Sequence, residues 1–145
     1  MNGMTPIVKK VTQLIVGLIF LYGIYIITHG HLTPGGGFAG GAVVAGSFIL
    51  LVLAYGSDIL KLKKREEGSS VIESLGILLF IVLAFAAIFI GTKVFFANYL
   101  PKGVIGELIS AGVIPLYNIA VGIEVAAALF TIFLALVIYK EEVLK

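Results

Sequence analysis

Cysteine and tryptophan are missing from this 145-residue sequence, and charge is scarce: only 12% of its residues are Asp, Glu, Lys or Arg. Without cysteine there is no disulfide, no zinc–thiolate site and no iron–sulfur ligation. Ten basic and eight acidic residues leave a net charge of +2, which implies no polyanionic partner such as a nucleic acid. What fills the space is apolar: 60% of the residues are hydrophobic and the mean hydropathy is +1.16. Soluble domains are about half apolar and about a quarter charged. The chain is too apolar for a disordered tail and short for a large soluble core. It reads as an integral membrane protein and not as an enzyme.

A helix needs about 20 apolar residues to cross the ~30 Å hydrocarbon layer, and four stretches supply them. They run over about 11–28, 36–56, 71–96 and 116–139. Continuous runs of this length mean helices rather than barrel strands, because lipid offers the backbone no partners. The expected fold is therefore all-α, a single membrane domain over 1–145 with four transmembrane helices. The first stretch is too long for the apolar part of a signal peptide, and no small-residue cleavage site follows it. Ser70 and Glu73 have the spacing of a capping box at the start of the third helix. Pro115 suits the first turn of the fourth.

Basic residues suggest the orientation. Lys9 and Lys10 precede the first span, Lys61, Lys63, Lys64 and Arg65 lie between the second and third, and Lys140 and Lys145 follow the fourth. The remaining two connections hold only Lys93 and Lys102. The positive-inside rule then puts both termini in the cytoplasm of a multi-pass plasma-membrane protein. Tyr55 and Tyr139 would mark the inner headgroup level, and Tyr99 and Tyr117 the outer one. Lys93 lies within snorkelling distance of the outer surface.

The most unusual stretch runs from His29 to Gly41 and holds six glycines around Pro34. Proline disfavours helix at the residue before it, and the glycines permit a sharp return into the membrane. No Lys-Ser or Lys-Thr follows them, so the run is not a nucleotide-binding loop. Gly37, Gly41 and Ala45 recur every four residues, as do Ala42 and Gly46. Together with Gly36 and Gly40 they form a face on which another helix backbone can approach closely. His29 and His31 have no neighbouring Cys, Asp or Glu, so they make at best an incomplete metal site.

Leu100–Pro115 is apolar but interrupted by three glycines and two prolines. It is too broken to span and reads as an interfacial or re-entrant segment on the outer face. Glu107 lies within it. Glu124 stands out most, about 13 Å into the fourth span by the 1.5 Å rise per residue. An ionised side chain near mid-bilayer costs at least ~2.5 kcal/mol. Two readings remain open: a proton or cation relay, or one half of an ion pair completed by a neighbouring subunit. No basic residue of this chain lies at its depth.

The element Gly30-His31-x-Thr33-Pro34-Gly35-Gly36-Gly37-Phe38-x-Gly40-Gly41 resembles the signature of the small MnhB-type component of Mrp multisubunit sodium/proton antiporters. Further similarity lies in Gly106-Glu107-Leu108, Ile114-Pro115-Leu116 and Asn118 to Gly122, so the resemblance covers essentially the whole chain. It implies a non-catalytic membrane subunit without cofactor, partnered by other membrane subunits and supporting cation or proton translocation. The same module occurs in archaeal membrane-bound hydrogenases and related respiratory complexes. Sparse amides and absent cysteine, a hyperthermophile tendency, lean toward that version. Relatives carry a lysine where this chain has Glu124, which suggests a polar contact that changes with the complex. The rival readings are a purely structural assembly subunit and a small homo-oligomeric transporter. Against the latter, one buried charge offers little to a substrate and no internal repeat is visible.

Overall fold

The computed structural model describes residues 3–56 and 59–143. Its elements are four helices: α1 (Pro6–Thr28), α2 (Gly36–Tyr55), α3 (Ile59–Phe89) and α4 (Ile114–Val143). No strand occurs among the described residues. Each helix contains a window long and apolar enough to cross a membrane, so the protein is an all-helical, multi-pass membrane protein. Pro6 opens α1 at a position where its missing N–H costs nothing. Between α1 and α2 the chain turns back through Pro34, Gly35 (φ 124°) and Gly36 (φ 62°). The last two are backbone conformations that favour glycine.

The third helix departs from its expected limits at both ends. It starts at Ile59, not near Val71, so the basic run Lys61–Arg65 is helical instead of a loop. Lys, Arg, Glu and Leu are good helix formers. The start of the helix is also held in place, because Leu62 is fully buried and Lys63 pairs with Glu142 at 2.6 Å. The expected capping box therefore does not form: Ser70 lies well inside the helix, and its carbonyl accepts a bond from Ser74 Oγ at 3.0 Å. At the far end α3 stops at Phe89, short of the expected Phe96. Gly91 takes φ 96° there, and the Gly91 and Thr92 amides bond back to the Ile88 and Ala87 carbonyls, a glycine-assisted helix stop. Lys93 consequently lies beyond the helix, exposed and at φ 56°, and not in its last turn. α4 opens two residues earlier than expected, with Pro115 as its second residue. Lys145 is outside the described residues.

Packing order is not chain order. α1 packs on α2, α2 on α4 and α4 on α3; α1 grazes α4, and among the described residues α3 packs along no helix but α4. The Met4 amide donates to the Ala54 carbonyl at 2.9 Å, joining the start of α1 to the end of α2. The Lys63–Glu142 pair joins the start of α3 to the end of α4. Near it Val52, Leu62, Leu134 and Ile138 form a buried apolar cluster. One end of the bundle thus holds the start of α1, the end of α2, the start of α3 and the end of α4. The other end holds 29–35 and the irregular segment 90–113, linked by a contact of 3.4 Å between His31 Nε2 and the Glu107 carbonyl.

Small residues allow these seams. A methyl built on Gly41 would lie 2.6 Å from the Gly122 carbonyl oxygen of α4, and one on Gly40 2.8 Å from the Gly23 carbonyl oxygen of α1. Gly37 meets the Asn118 backbone, and Ala45 is buried. Gly122 itself sits at the junction of α1, α2 and α4, with Ile27 2.7 Å from its built methyl. With no hydrophobic drive between helices in lipid, close backbone contact of this kind supplies the association energy. Gly46 differs: nothing lies within 4 Å of a methyl built there, so no described helix of this chain uses it.

Candidate functional site

The α3–α4 seam is built on a repeat of one face of α3. Ser69, Glu73, Gly76 and Phe80 are spaced at i, i+4, i+7 and i+11, which lines them up along a helix. Three of them touch α4. Ser69 Oγ donates to the Ala127 carbonyl at 3.0 Å, Gly76 lies against the Glu124 backbone, and Phe80 meets Tyr117 edge-on with ring centroids 5.2 Å apart. Glu73 is the fourth member of this face and is half-buried.

Glu124 is therefore held at the seam, about 15 Å along α4 from Ile114 by the helical rise. Glu73 is one turn of α3, about 4.5 Å along the axis, from the glycine that Glu124 touches. Two acidic residues on neighbouring helices thus lie about one turn apart in level. Glu124 is also half-buried. Beside it a space of about 200 Å³ is lined by Gly76, Ile77, Phe80, Ala120, Val121 and Glu124. Among the described residues no hydrogen bond or ion pair engages either carboxylate. An ionised group at such depth needs a cation, a proton or water to offset its desolvation. Chemically, the arrangement could pass a proton, bind a cation transiently or accept a basic side chain from another subunit.

The other candidate residues sit elsewhere. His29 closes α1: its Nδ1 lies 3.0 Å from the Tyr25 carbonyl and 3.1 Å from Thr28 Oγ1, and its ring stacks on Tyr25. His31 reaches the backbone of Glu107 and so brings two of the candidates together. The Glu107 carboxylate and Lys93 stay exposed, apart from Glu124. Among the described residues no group of three or more His, Cys, Asp or Glu could hold a metal ion.

A second polar locality, at the connection end, was not expected. Asn118 Oδ1 accepts from the Gly37 amide at 3.4 Å. That amide is in the first turn of α2, where backbone donors lack intrahelical partners, and the preceding Gly35 has no side chain to cap it. Asn118 thus caps α2 from another helix. Its Nδ2, Tyr117 Oη and His31 Nδ1 are buried without partners among the described residues. Tyr117 packs among Phe80 and Phe96.

Sequence reasoning passes over the seam roles of Glu73, Gly76, Asn118 and Gly122. For Glu73 the misleading signal is Ser70 three residues before it, which suggests a helix start. The Ser69–Glu73–Gly76–Phe80 spacing is the signal that places it on a packed face.

Comparison with known proteins agrees with the motif in the α1–α2 connection. Residues 7–131 match the family described as a domain related to the MnhB subunit of Na+/H+ antiporter. An uncharacterized protein of Methanocaldococcus jannaschii is 40% identical over 137 residues, which cover 88% of this chain and 50% of that protein. A Staphylococcus aureus protein that bears the name antiporter subunit mnhB2 is 28% identical over 132 residues, 90% of this chain and 92% of its own. Among solved structures, a chain of the membrane-bound sulfane sulfur reductase, an archaeal respiratory membrane complex, superposes with a TM-score of 0.71 at 31% identity. The match covers 88% of this chain and 56% of that one. This chain thus spans about half the length of the archaeal relatives it matches. The protein belongs to the family of domains related to the MnhB subunit of Na+/H+ antiporters.

Proposed function

We propose that this chain is a non-catalytic membrane subunit of a Mrp-type sodium/proton antiporter module within a respiratory complex, where it supports cation or proton translocation. The observation that carries the reading is the half-buried Glu124, set deep in α4 against Gly76, with Glu73 one turn away and no partner for either among the described residues. The relatives support the setting: one bears the name of an antiporter subunit, and another belongs to a respiratory membrane complex. In this reading other membrane subunits cover the seam and complete the path. Both termini face the cytoplasm, following the distribution of basic residues. Segment 90–113 lies at the outer interface.

The test is Glu124→Gln, which keeps size and hydrogen bonding but removes the titratable proton. As a relay, Glu124 loses ion-coupled activity on this change while the complex still assembles. As half of an inter-subunit ion pair, the change strands a buried cation, at a typical cost of about 3–5 kcal/mol, so assembly itself falls. Normal assembly and normal transport together would reduce the chain to a purely structural role.

A further inference from the structure

α1 and α3 do not pack on each other, and between them α4 and part of α2 form the floor of a lateral groove of about 550 Å³. Its surface is apolar: Phe20 and Ile24 line one side, Ile72 the other, and Ala126 and Phe130 the floor. Ser69 Oγ, at its edge, is already committed to the Ala127 carbonyl. Arg65 is the one charged side chain of the lining. It is exposed, and among the described residues no carboxylate pairs with it, whereas Lys63 two residues earlier is held by Glu142. Gly68, one turn on, leaves the Arg65 end open, since nothing lies within 4 Å of a methyl built there.

Dimension and charge together select the occupant. Along α4 the lining runs from Gly122 to Phe130, about 12 Å by the helical rise. That is close to one leaflet, half of the ~30 Å hydrocarbon layer, and well short of the full height a transmembrane helix needs. A guanidinium at the mouth matches a phosphate through paired N–H donors. Lys9, Lys10 and Lys64 at the same end of the bundle add to the attraction for anionic headgroups. We propose that this groove holds one acyl chain of an anionic phospholipid whose phosphate is bound by Arg65. The inference is independent of any role for Glu124.

The experiment uses the full chain, purified with the subunits that accompany it and placed in phosphatidylcholine vesicles. These carry a trace of phosphatidylglycerol bearing a photoactivatable diazirine on its acyl chain. Crosslinks are expected on the α4 peptide containing Ala126 and Phe130, and about fivefold fewer from the same probe with a choline headgroup. R65Q lowers the phosphatidylglycerol signal by a similar factor, about 1 kcal/mol per basic residue, while Ala126→Phe fills the groove and removes the signal. R65Q, at an exposed position, decides the matter even where Ala126→Phe fails to assemble. Equal labelling by the two headgroups, or R65Q labelling like the unaltered chain, overturns the proposal. So does a groove that stays unlabelled in the assembly because a partner subunit's helix crosslinks there instead.

Discussion

Gly76 of α3 faces Glu124 of α4 so closely that a methyl group on Gly76 would stand 2.8 Å from Glu124 Cβ and 3.0 Å from its Cα. Among the described residues α3 packs along α4 alone, and this contact is the tightest backbone approach between them, beside the Ser69–Ala127 bond, the Lys63–Glu142 pair and the Phe80–Tyr117 contact. Gly76→Ala should therefore lower stability by about 1–3 kcal/mol, the usual range for overpacking. Gly68→Ala, on the same helix but facing open space, should be neutral or gain up to about 1 kcal/mol from helix propensity. Thermal unfolding of both variants in one detergent provides the comparison. If Gly76→Ala is as stable as Gly68→Ala, the seam is looser than described.

The same face of α3 shows what sequence can and cannot reveal. Uncharged, largely apolar runs such as Val11–Thr28 announce a span because lipid leaves the backbone no alternative to a helix. Where a helix ends is a different question, because charge marks the exit from lipid and not the end of hydrogen bonding. Lys61–Glu67 reads as a loop for that reason, yet its good helix formers let α3 start as early as Ile59. Glu73 moves with that boundary, from a helix start to well inside a helix. The glycine face of α2 is legible from its spacing alone. Its partners on α4, Asn118 and Gly122, are not, because pairing between helices depends on packing order, and α2 packs on α4 rather than on α3.

Two glycines five residues apart on α2 should respond oppositely to the same change. Gly41 lies under the Gly122 carbonyl, whereas Gly46 faces nothing within 4 Å. Gly41→Ala should separate α2 from α4 at a cost of about 1–3 kcal/mol, and Gly41→Leu should abolish folding or assembly. Gly46→Ala in the isolated chain should cost nothing measurable. A loss specific to the assembled complex would instead mean that another subunit packs at Gly46. Yield and melting temperature, measured with and without the accompanying subunits, decide both points.

Asn118 offers a test of capping supplied by a different helix. Asn118→Leu removes the acceptor for the Gly37 amide, at about 0.5–2 kcal/mol, the range for losing a helix cap. Asn118→Asp keeps the acceptor and adds a negative charge at the start of α2, which the helix dipole favours. The aspartate variant should therefore stay nearer to the unaltered protein than the leucine variant. Hydrogen exchange at the first turn of α2 reads the effect locally. Equal exchange in the two variants would show that the 3.4 Å contact is not a cap.

Orientation can be tested cleanly because the chain has no native cysteine. Lys64 and Thr33 are both exposed and lie toward opposite ends of the bundle. Lys64→Cys should react with an impermeant maleimide only from the cytoplasmic side and Thr33→Cys only from outside. The reverse pattern would invert the topology. Reaction of both from one side would contradict the four-span count.

Glu73 and Glu124 provide the most direct test of mechanism, because they lie about one turn apart in level on neighbouring helices. If they act together in passing a proton or cation, each neutralisation disables the same unit. Glu73→Gln should then depress sodium-dependent transport about as far as Glu124→Gln, and the double variant should be little worse than either single one. Independent roles predict the opposite, with the two losses adding as free energies, since only coupled positions depart from additivity. Assembly must be measured on all three variants, because a loss of complex would lower transport without informing on the path. Transport that falls with Glu124→Gln but is untouched by Glu73→Gln would restrict the path to α4. In that case the half-buried Glu73 would be a polar contact on the α3 face and no part of the relay.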